Sequence, residues 1–155
     1  HHFTLPHRIT TGGATRFDSV RSGLSKLPAE GLVAVHDGVR PLVSRTLIRR
    51  TFEVAKETGA ALPACPVTDS LRLLGEDDTN EAVDRARYRA VQTPQTFDLE
   101  RLHRAYEQPF SPQFTDDASV YEAAGLGAIT LVEGEETNIK LTTPRDLLLA
   151  DLLLD

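Results

Sequence analysis

An α/β fold with an antiparallel insertion is what this 155-residue sequence predicts, and three observations predict it. Apolar runs of strand length alternate with segments of helical periodicity. A turn cluster, "GEDDTN", splits one long polar stretch into two β-compatible halves. Residues that start and stop helices stand at the joints between these runs.

The elements follow in chain order. "TGGATRFDSVRSGLSKL" (11–27) is a glycine turn feeding a helix, with Phe17, Val20 and Leu24 on one apolar face and Thr15 or Asp18 as its cap. "GLVAVHD" (31–37) is a continuous apolar strand of the kind buried on both faces in a parallel sheet. "SRTLIRRTFEVAKETG" (44–59) is a helix with Ser44 as N-cap and Gly59 as stop, its apolar side formed by Leu47, Ile48, Phe52 and Ala55. "ALPACPV" (61–67) is a strand whose prolines suggest an edge or a bulge. Residues 68–92 form a hairpin with one wet face, an arm on the body.

"QTPQTF" (92–97) is a proline-broken loop, and 98–108 is a helix capped by Asp98 with Leu99, Leu102 and Tyr106 on one side. A loop at 109–114 leads to a short helix, 115–125, capped by Thr115 and ended by Gly125. Strands are expected at 126–134 and at "NIKLTT" (138–143). A last helix, 143–154, has Thr143 as cap and Pro144 in its first position. No repeat and no clean linker divides the chain, so 1–155 reads as one domain.

Composition narrows the function classes. A net charge of −6 disfavours a nucleic-acid scaffold, which wants a basic face. No apolar run reaches the roughly 18 residues of a membrane span, and no signal peptide is visible. The lone cysteine, Cys65, excludes an internal disulfide and lies in an apolar stretch, where a small buried side chain is the simple reading.

Three places could carry chemistry. In open α/β sheets ligands bind beyond the carboxyl ends of strands, where "HDGVRP" falls. There Asp37 tips a strand, Gly38 permits a close backbone approach, and Arg40 can meet a phosphate or carboxylate with two parallel bonds. An Asp37–Arg40 ion pair that merely closes the loop is the equal alternative, and His36 is expected to pack or bond locally. Gly12 and Gly13 before a helix N-terminus offer a second anion site, or a plain glycine turn. In "NIKLTT" strand alternation would put Asn138, Lys140 and Thr142 on one face. Arg85, Arg87 and Arg89 would share another, followed by Thr93. No zinc spacing and no G-x-S-x-G occurs, so a protein-caged metal is disfavoured, while magnesium carried on phosphates stays open.

Six segments in order carry a resemblance: "GGATRFDSVRSGL", "VHDGVRPLVS", "PACPVTDSLR", "VDRARYRAVQTPQTF", "TDDASVYEAAG" and "VEGEETNIKLTTPRDLLLA". Together they resemble the 2-C-methyl-D-erythritol 4-phosphate cytidylyltransferases of non-mevalonate isoprenoid synthesis. The resemblance implies a Rossmann-like nucleotidyltransferase sheet with a protruding β-arm at 68–92 that joins two subunits of a homodimer. It implies a cytoplasmic enzyme that uses CTP, a sugar-alcohol phosphate and a divalent cation, Mg2+, and that binds neither nucleic acid nor membrane.

The resemblance also assigns roles. Gly13, Ala14 and Ser19 would line the CTP site, with Gly38 beside the nucleotide. Asp37 and Arg40 would lie between nucleotide and sugar-phosphate. Arg85 and Lys140 would be the catalytic pair that positions the attacking phosphate, and Thr93 and Thr115 would hydrogen-bond the sugar-phosphate. Ser70 and Arg85, on the arm, would serve the partner's site.

Departures from the family pattern are Ser70 for threonine, Ala14 for an acidic residue and Arg72 for lysine. Nothing before Gly12 matches the family's glycine-rich loop with its arginine and lysine, and the chain has no methionine. An absent N-terminal portion and little turnover by the 155 residues alone are therefore expected. Ribitol-5-phosphate cytidylyltransferase, and a non-catalytic dimerisation or nucleotide-binding module, are the competing readings.

Overall fold

The computed structural model describes residues 4–154. Its first helix, α1 (Arg16–Leu24), begins where Thr15 leaves the extended backbone and its hydroxyl accepts from Asp18 N. Phe17 and Leu24 are buried on its inner face. Strand β1 (Leu32–Val35) follows, then α2 (Arg45–Thr58). Ser44 caps α2 by accepting from Leu47 N, and Gly59 ends it at φ 90°, a left-handed conformation that a side chain would strain.

Strand β2 (Ala60–Pro66) is the centre of the sheet. The expectation of an edge strand fails here. β2 pairs antiparallel with β6 (Gln95–Asp98) over its first residues, antiparallel with β5 (Arg89–Val91) over its last, and parallel with β7 (Thr130–Glu133) on its other side. Pro63 falls in the gap between the β6 and β5 pairings, where its carbonyl accepts from Gln92 N and no neighbour requires its missing N–H.

Strand β1 is also not buried on both faces. All four of its residues are half-buried, and its partner β6 runs antiparallel to it. The segment 92–97 is accordingly a strand entry rather than a loop. A cis Thr93–Pro94 bond precedes β6, and Gln95, Thr96 and Phe97 are buried. The polar Thr96 is tolerated because its hydroxyl donates to Thr51 of α2 at 3.0 Å.

Within 68–92 only a short segment pairs as a separate hairpin. A hairpin of β3 (Arg72–Leu74) and β4 (Asn80–Ala82) forms its own sheet, exposed on both faces, and β5 returns to the main sheet. Arg85 and Arg87 lie in a 3-10 turn, so they do not share a strand face with Arg89.

Helix α3 (Leu99–Ala105) is capped by Asp98. Helix α4 (Asp117–Ala123) is capped by Asp116 rather than Thr115, because the Asp116 carboxylate reaches Ser119 N while the Ser119 hydroxyl takes the Asp116 N–H. Residues 138–143 form no strand: Asn138 N bonds back to Glu135 O, and Leu141 N crosses to Val39 O at 2.8 Å. Helix α5 (Pro144–Leu154) closes the chain with only Ala150 buried.

Register explains the two layers of helices. Ala60 opposite Phe97 faces α1, α3 and α4, where Phe17 stacks on Tyr106 at 4.7 Å between ring centroids. The next pair, Ala61 opposite Thr96, faces α2. Because β6 opposes β1 and β2 while β7 parallels β2, the carboxyl ends of β1, β2 and β7 and the start of β6 all lie at one end of the sheet. No helix among the described residues is long and apolar enough to cross a membrane.

Candidate active site

At that end Asp37 sits just past β1. Its carboxylate Oδ2 is 3.2 Å from Lys140 Nζ and 3.8 Å from Arg40 Nε, and its Oδ1 is 3.8 Å from Arg16 Nη2. With Asp117 also paired to Arg16, two carboxylates face three cations and one positive charge is left uncompensated, Asp37 and Arg40 being mostly buried while Arg16 and Lys140 reach solvent. The Asp37 side chain is 18 % exposed and that of Arg40 12 %. Such a cluster favours an anion whose oxygens can take several donors.

The backbone around Asp37 is fixed on both sides. Its N–H donates to Thr93 Oγ1 at 3.1 Å, and its carbonyl accepts from Arg40 N at 2.9 Å. Arg40 Nη1 donates to Asn138 O at 2.7 Å, while its buried Nε has no hydrogen-bond partner. A buried N–H left in this state costs free energy unless an acceptor arrives.

Lys140 is aimed by a buried amide pair and not by strand alternation. Asn138, fully buried, donates from Nδ2 to Thr93 O at 2.8 Å. Gln92 grips the same loop through Glu135, donating to its carbonyl at 2.8 Å and accepting from its N–H at 3.1 Å. Ser44 adds a third hold, donating to Glu135 Oε1 at 2.6 Å. These bonds tie the turn after β7 to the entry of β6, which puts the Lys140 ammonium beside Asp37.

Arg16 has a second partner. Its Nη2 lies 2.5 Å from Asp117, which is fully buried and also accepts from the Tyr106 hydroxyl at 2.6 Å. Burial first, and the Asp117 charge second, push the Tyr106 phenol above its usual 10.0. A folded-state value above the unfolded one contributes stability that is complete below pH about 10 and is lost as pH rises past it. In urea titrations across that range, the native protein should lose stability while Tyr106→Phe loses less.

Ahead of α1, Gly13 N donates to Ser19 Oγ at 3.0 Å and the Ser19 hydroxyl donates to Thr15 O. A Cβ on Gly13 would run into Asp18, so the loop folds back only with glycine there. Gly13, Ala14 and Ser19 are thus brought together next to Arg16, and Gly38 forms the turn beyond Asp37.

A family model described as 2-C-methyl-D-erythritol 4-phosphate cytidylyltransferase (IspD) matches residues 3–155. The chain is 55 % identical over 152 residues to the enzyme of that name from Porphyromonas gingivalis, covering 98 % of this chain and 68 % of that one. The chain belongs to the 2-C-methyl-D-erythritol 4-phosphate cytidylyltransferase family.

Two solved structures agree on the fold. The family enzyme from Thermus thermophilus is 40 % identical with a TM-score of 0.81, over 94 % of this chain and 72 % of that one. A 4-diphosphocytidyl-2C-methyl-D-erythritol synthase from Anaerococcus prevotii is 32 % identical with a TM-score of 0.85, over 95 % and 69 %. The nucleotidyltransferase sheet expected from the six segments is therefore the fold of this cytidylyltransferase chain.

Not every residue singled out in the sequence meets at Asp37. Asp37, Arg40, Lys140 and Thr93 do. Ser70 lies exposed at the base of the β3–β4 hairpin, and Arg85 donates to Thr68 O there. Thr115 is exposed just before α4. Among the described residues no hydrogen bond or ion pair joins Ser70, Arg85 or Thr115 to the Asp37 cluster. Conversely, sequence reading does not single out Arg16, Gln92 or Asp117. The available signals are an arginine three residues after Gly-Gly and a glutamine at a strand entry.

Cys65 is half-buried, and burial followed by the charge of Glu136 pushes its thiol up, the reverse of what a nucleophile requires.

Proposed function

We propose that this cytidylyltransferase chain transfers the cytidylyl group of CTP to 2-C-methyl-D-erythritol 4-phosphate, giving the CDP-linked alcohol and pyrophosphate. The observation that carries the reading is the convergence of Arg16, Arg40 and Lys140 on Asp37 at the strand tips, with Arg40 Nε lacking a hydrogen-bond partner.

In the reaction a phosphate oxygen of the alcohol phosphate attacks the α-phosphorus of CTP. One P–O bond forms, the bond to the β-phosphate oxygen breaks, and pyrophosphate carries the electron pair away. No covalent intermediate on the protein is required. Catalysis is placement and charge neutralisation.

In this reading Gly13, Ala14, Ser19 and Gly38 line the nucleotide, Lys140 with the partner's Arg85 holds the attacking phosphate, and Arg40 stands between nucleotide and sugar-phosphate. Asp37 keeps the cations apart and aimed. Thr93 and Thr115 contact the alcohol phosphate, and Ser70 and Arg85 reach a partner subunit's site from the arm.

Among the described residues no group of three or more His, Cys, Asp or Glu could hold a metal ion. Asp37 is already ringed by cations, so a protein-held metal does not fit this site. Mg2+ riding on the triphosphate is compatible with it and would screen phosphate charge.

The test is pyrophosphate release from CTP by the enzyme with either alcohol phosphate. Turnover with methylerythritol phosphate and little with ribitol 5-phosphate is expected. Turnover of ribitol 5-phosphate alone overturns the substrate assignment.

We also propose a cytoplasmic homodimer joined through the arm. A lone two-stranded hairpin is marginal in water, and Leu73 and Leu74 are 55 % and 78 % exposed on it. Leu74→Asp should shift the light-scattering mass of the enzyme from dimer to monomer. An unchanged mass would remove the arm from the interface.

A further inference from the structure

We infer that His36 is a positioning residue for the alcohol-phosphate half of the site, acting through the Thr93 hydroxyl. The inference rests on the reading of Asp37, Arg40 and Thr93 as substrate-facing groups. His36 opens the "HDGVR" turn, and its ring reaches both the far end of that turn and the entry of β6. Nε2 lies 3.0 Å from Arg40 O, and Nδ1 lies 2.9 Å from Thr93 Oγ1.

The first contact settles where a ring proton is. A carbonyl oxygen only accepts, so Nε2 carries a hydrogen. In the neutral ring Nδ1 then has only a lone pair, and Thr93 must donate to it. The same Thr93 oxygen accepts from Asp37 N at 3.1 Å. A hydroxyl has one proton and two lone pairs. With the proton given to His36 and one lone pair to Asp37, a single lone pair remains.

With the ring neutral, the Thr93 hydroxyl can meet a ligand only as an acceptor. That suits a hydroxyl of the polyol chain, and it leaves the phosphate oxygens to Arg40 and Lys140. The His36 ring does two jobs in one position. It sets the direction of the Thr93 proton, and it holds the Arg40 carbonyl, so the turn bearing Asp37 and Arg40 is braced against the entry of β6. That entry is in turn braced by Asn138, which donates to Thr93 O.

Three variants of the enzyme test this: His36→Phe, Thr93→Val and the double variant. His36→Phe keeps a ring without its nitrogens. Its kcat/KM for methylerythritol phosphate should fall about tenfold, with the KM for CTP within about twofold. The double variant should be within about twofold of the worse single one, because both break the same chain of bonds. Additive losses, or equal loss on both substrates, would overturn the inference.

The ring 15N resonances of His36 give a readout independent of turnover. At alkaline pH they should show a protonated Nε2 and a bare Nδ1, and the Nδ1 signal should move in Thr93→Val. A proton on Nδ1 overturns the inference even in an active enzyme. Failure of the functional reading would show instead as unchanged kinetics in Lys140→Met.

Discussion

Replacing Lys140 by methionine should lower kcat/KM by about 10²–10³ and leave the melting temperature almost unchanged. The two effects separate because of where the lysine stands. Its side chain is half-exposed, and its ion pair is with Asp37 at 3.2 Å. An exposed pair of this kind contributes about 0–1 kcal/mol to folding. Methionine keeps the length of the stem and opens no cavity.

In the working site the same ammonium faces phosphate oxygens whose charge rises as pyrophosphate departs, where a fixed cation counts for far more. Steady-state kinetics beside a thermal melt gives both numbers. A large fall in melting temperature with an unchanged rate would make Lys140 a structural ion-pair partner of Asp37. Arg40→Lys offers a complementary result. Lysine keeps the charge and loses the fork that reaches both Asn138 O and the Asp37 side, so its rate should fall more than its stability.

The largest loss of stability should come from Asp117→Ala, about 3 kcal/mol. Asp117 is fully buried and joins Arg16 to Tyr106. Its removal leaves the Tyr106 hydroxyl without a partner in a ring that is 3 % exposed. Arg16 is 39 % exposed, so water can take part of its charge, which keeps the cost at the low end for a broken buried pair. For a domain of this size that corresponds to a melting temperature lower by roughly 6–12 °C. Urea unfolding of Asp117→Ala against Tyr106→Phe checks the assignment, since the phenylalanine variant removes only the hydroxyl bond and should cost about 1 kcal/mol. Equal costs would mean that Arg16 contributes nothing through this pair.

Much of this fold is written locally, and those parts are legible. Ser44, Asp98 and Gly59 mark their helix ends because a cap acts within one turn of itself. Asp116 displaces Thr115 for a reason equally local, the reciprocal bond with Ser119. Strand β6 is harder to see. "QTPQTF" is polar and broken by proline, and its second half becomes a strand through pairing with β1 and β2 and through the Thr51 hydroxyl that takes the Thr96 proton. "NIKLTT" errs the other way: its alternation suits a strand, but Leu141 N finds Val39 O in a loop instead of a ladder.

The site divides similarly. Asp37, Gly38 and Arg40 announce themselves as a strand-tip turn. Arg16 gains its meaning only from Asp117, which is 101 residues away in sequence. His36 alternates away from Asp37 along the strand, yet reaches the Thr93 oxygen that Asp37 itself uses. Long-range pairing of this sort leaves no periodic trace.

The account stands on ligand binding at the strand tips around Asp37, and amide shift mapping of the 15N-labelled protein on addition of CTP and then methylerythritol 4-phosphate tests it most directly. The account predicts CTP-induced shifts at Gly13, Ser19 and Gly38, followed by shifts at Asp37, Arg40, Thr93 and Lys140 when the alcohol phosphate is added. Shifts confined to the hollow of about 630 Å³ between Pro6, Lys26 and Pro28, with the Asp37 turn unmoved, would contradict it.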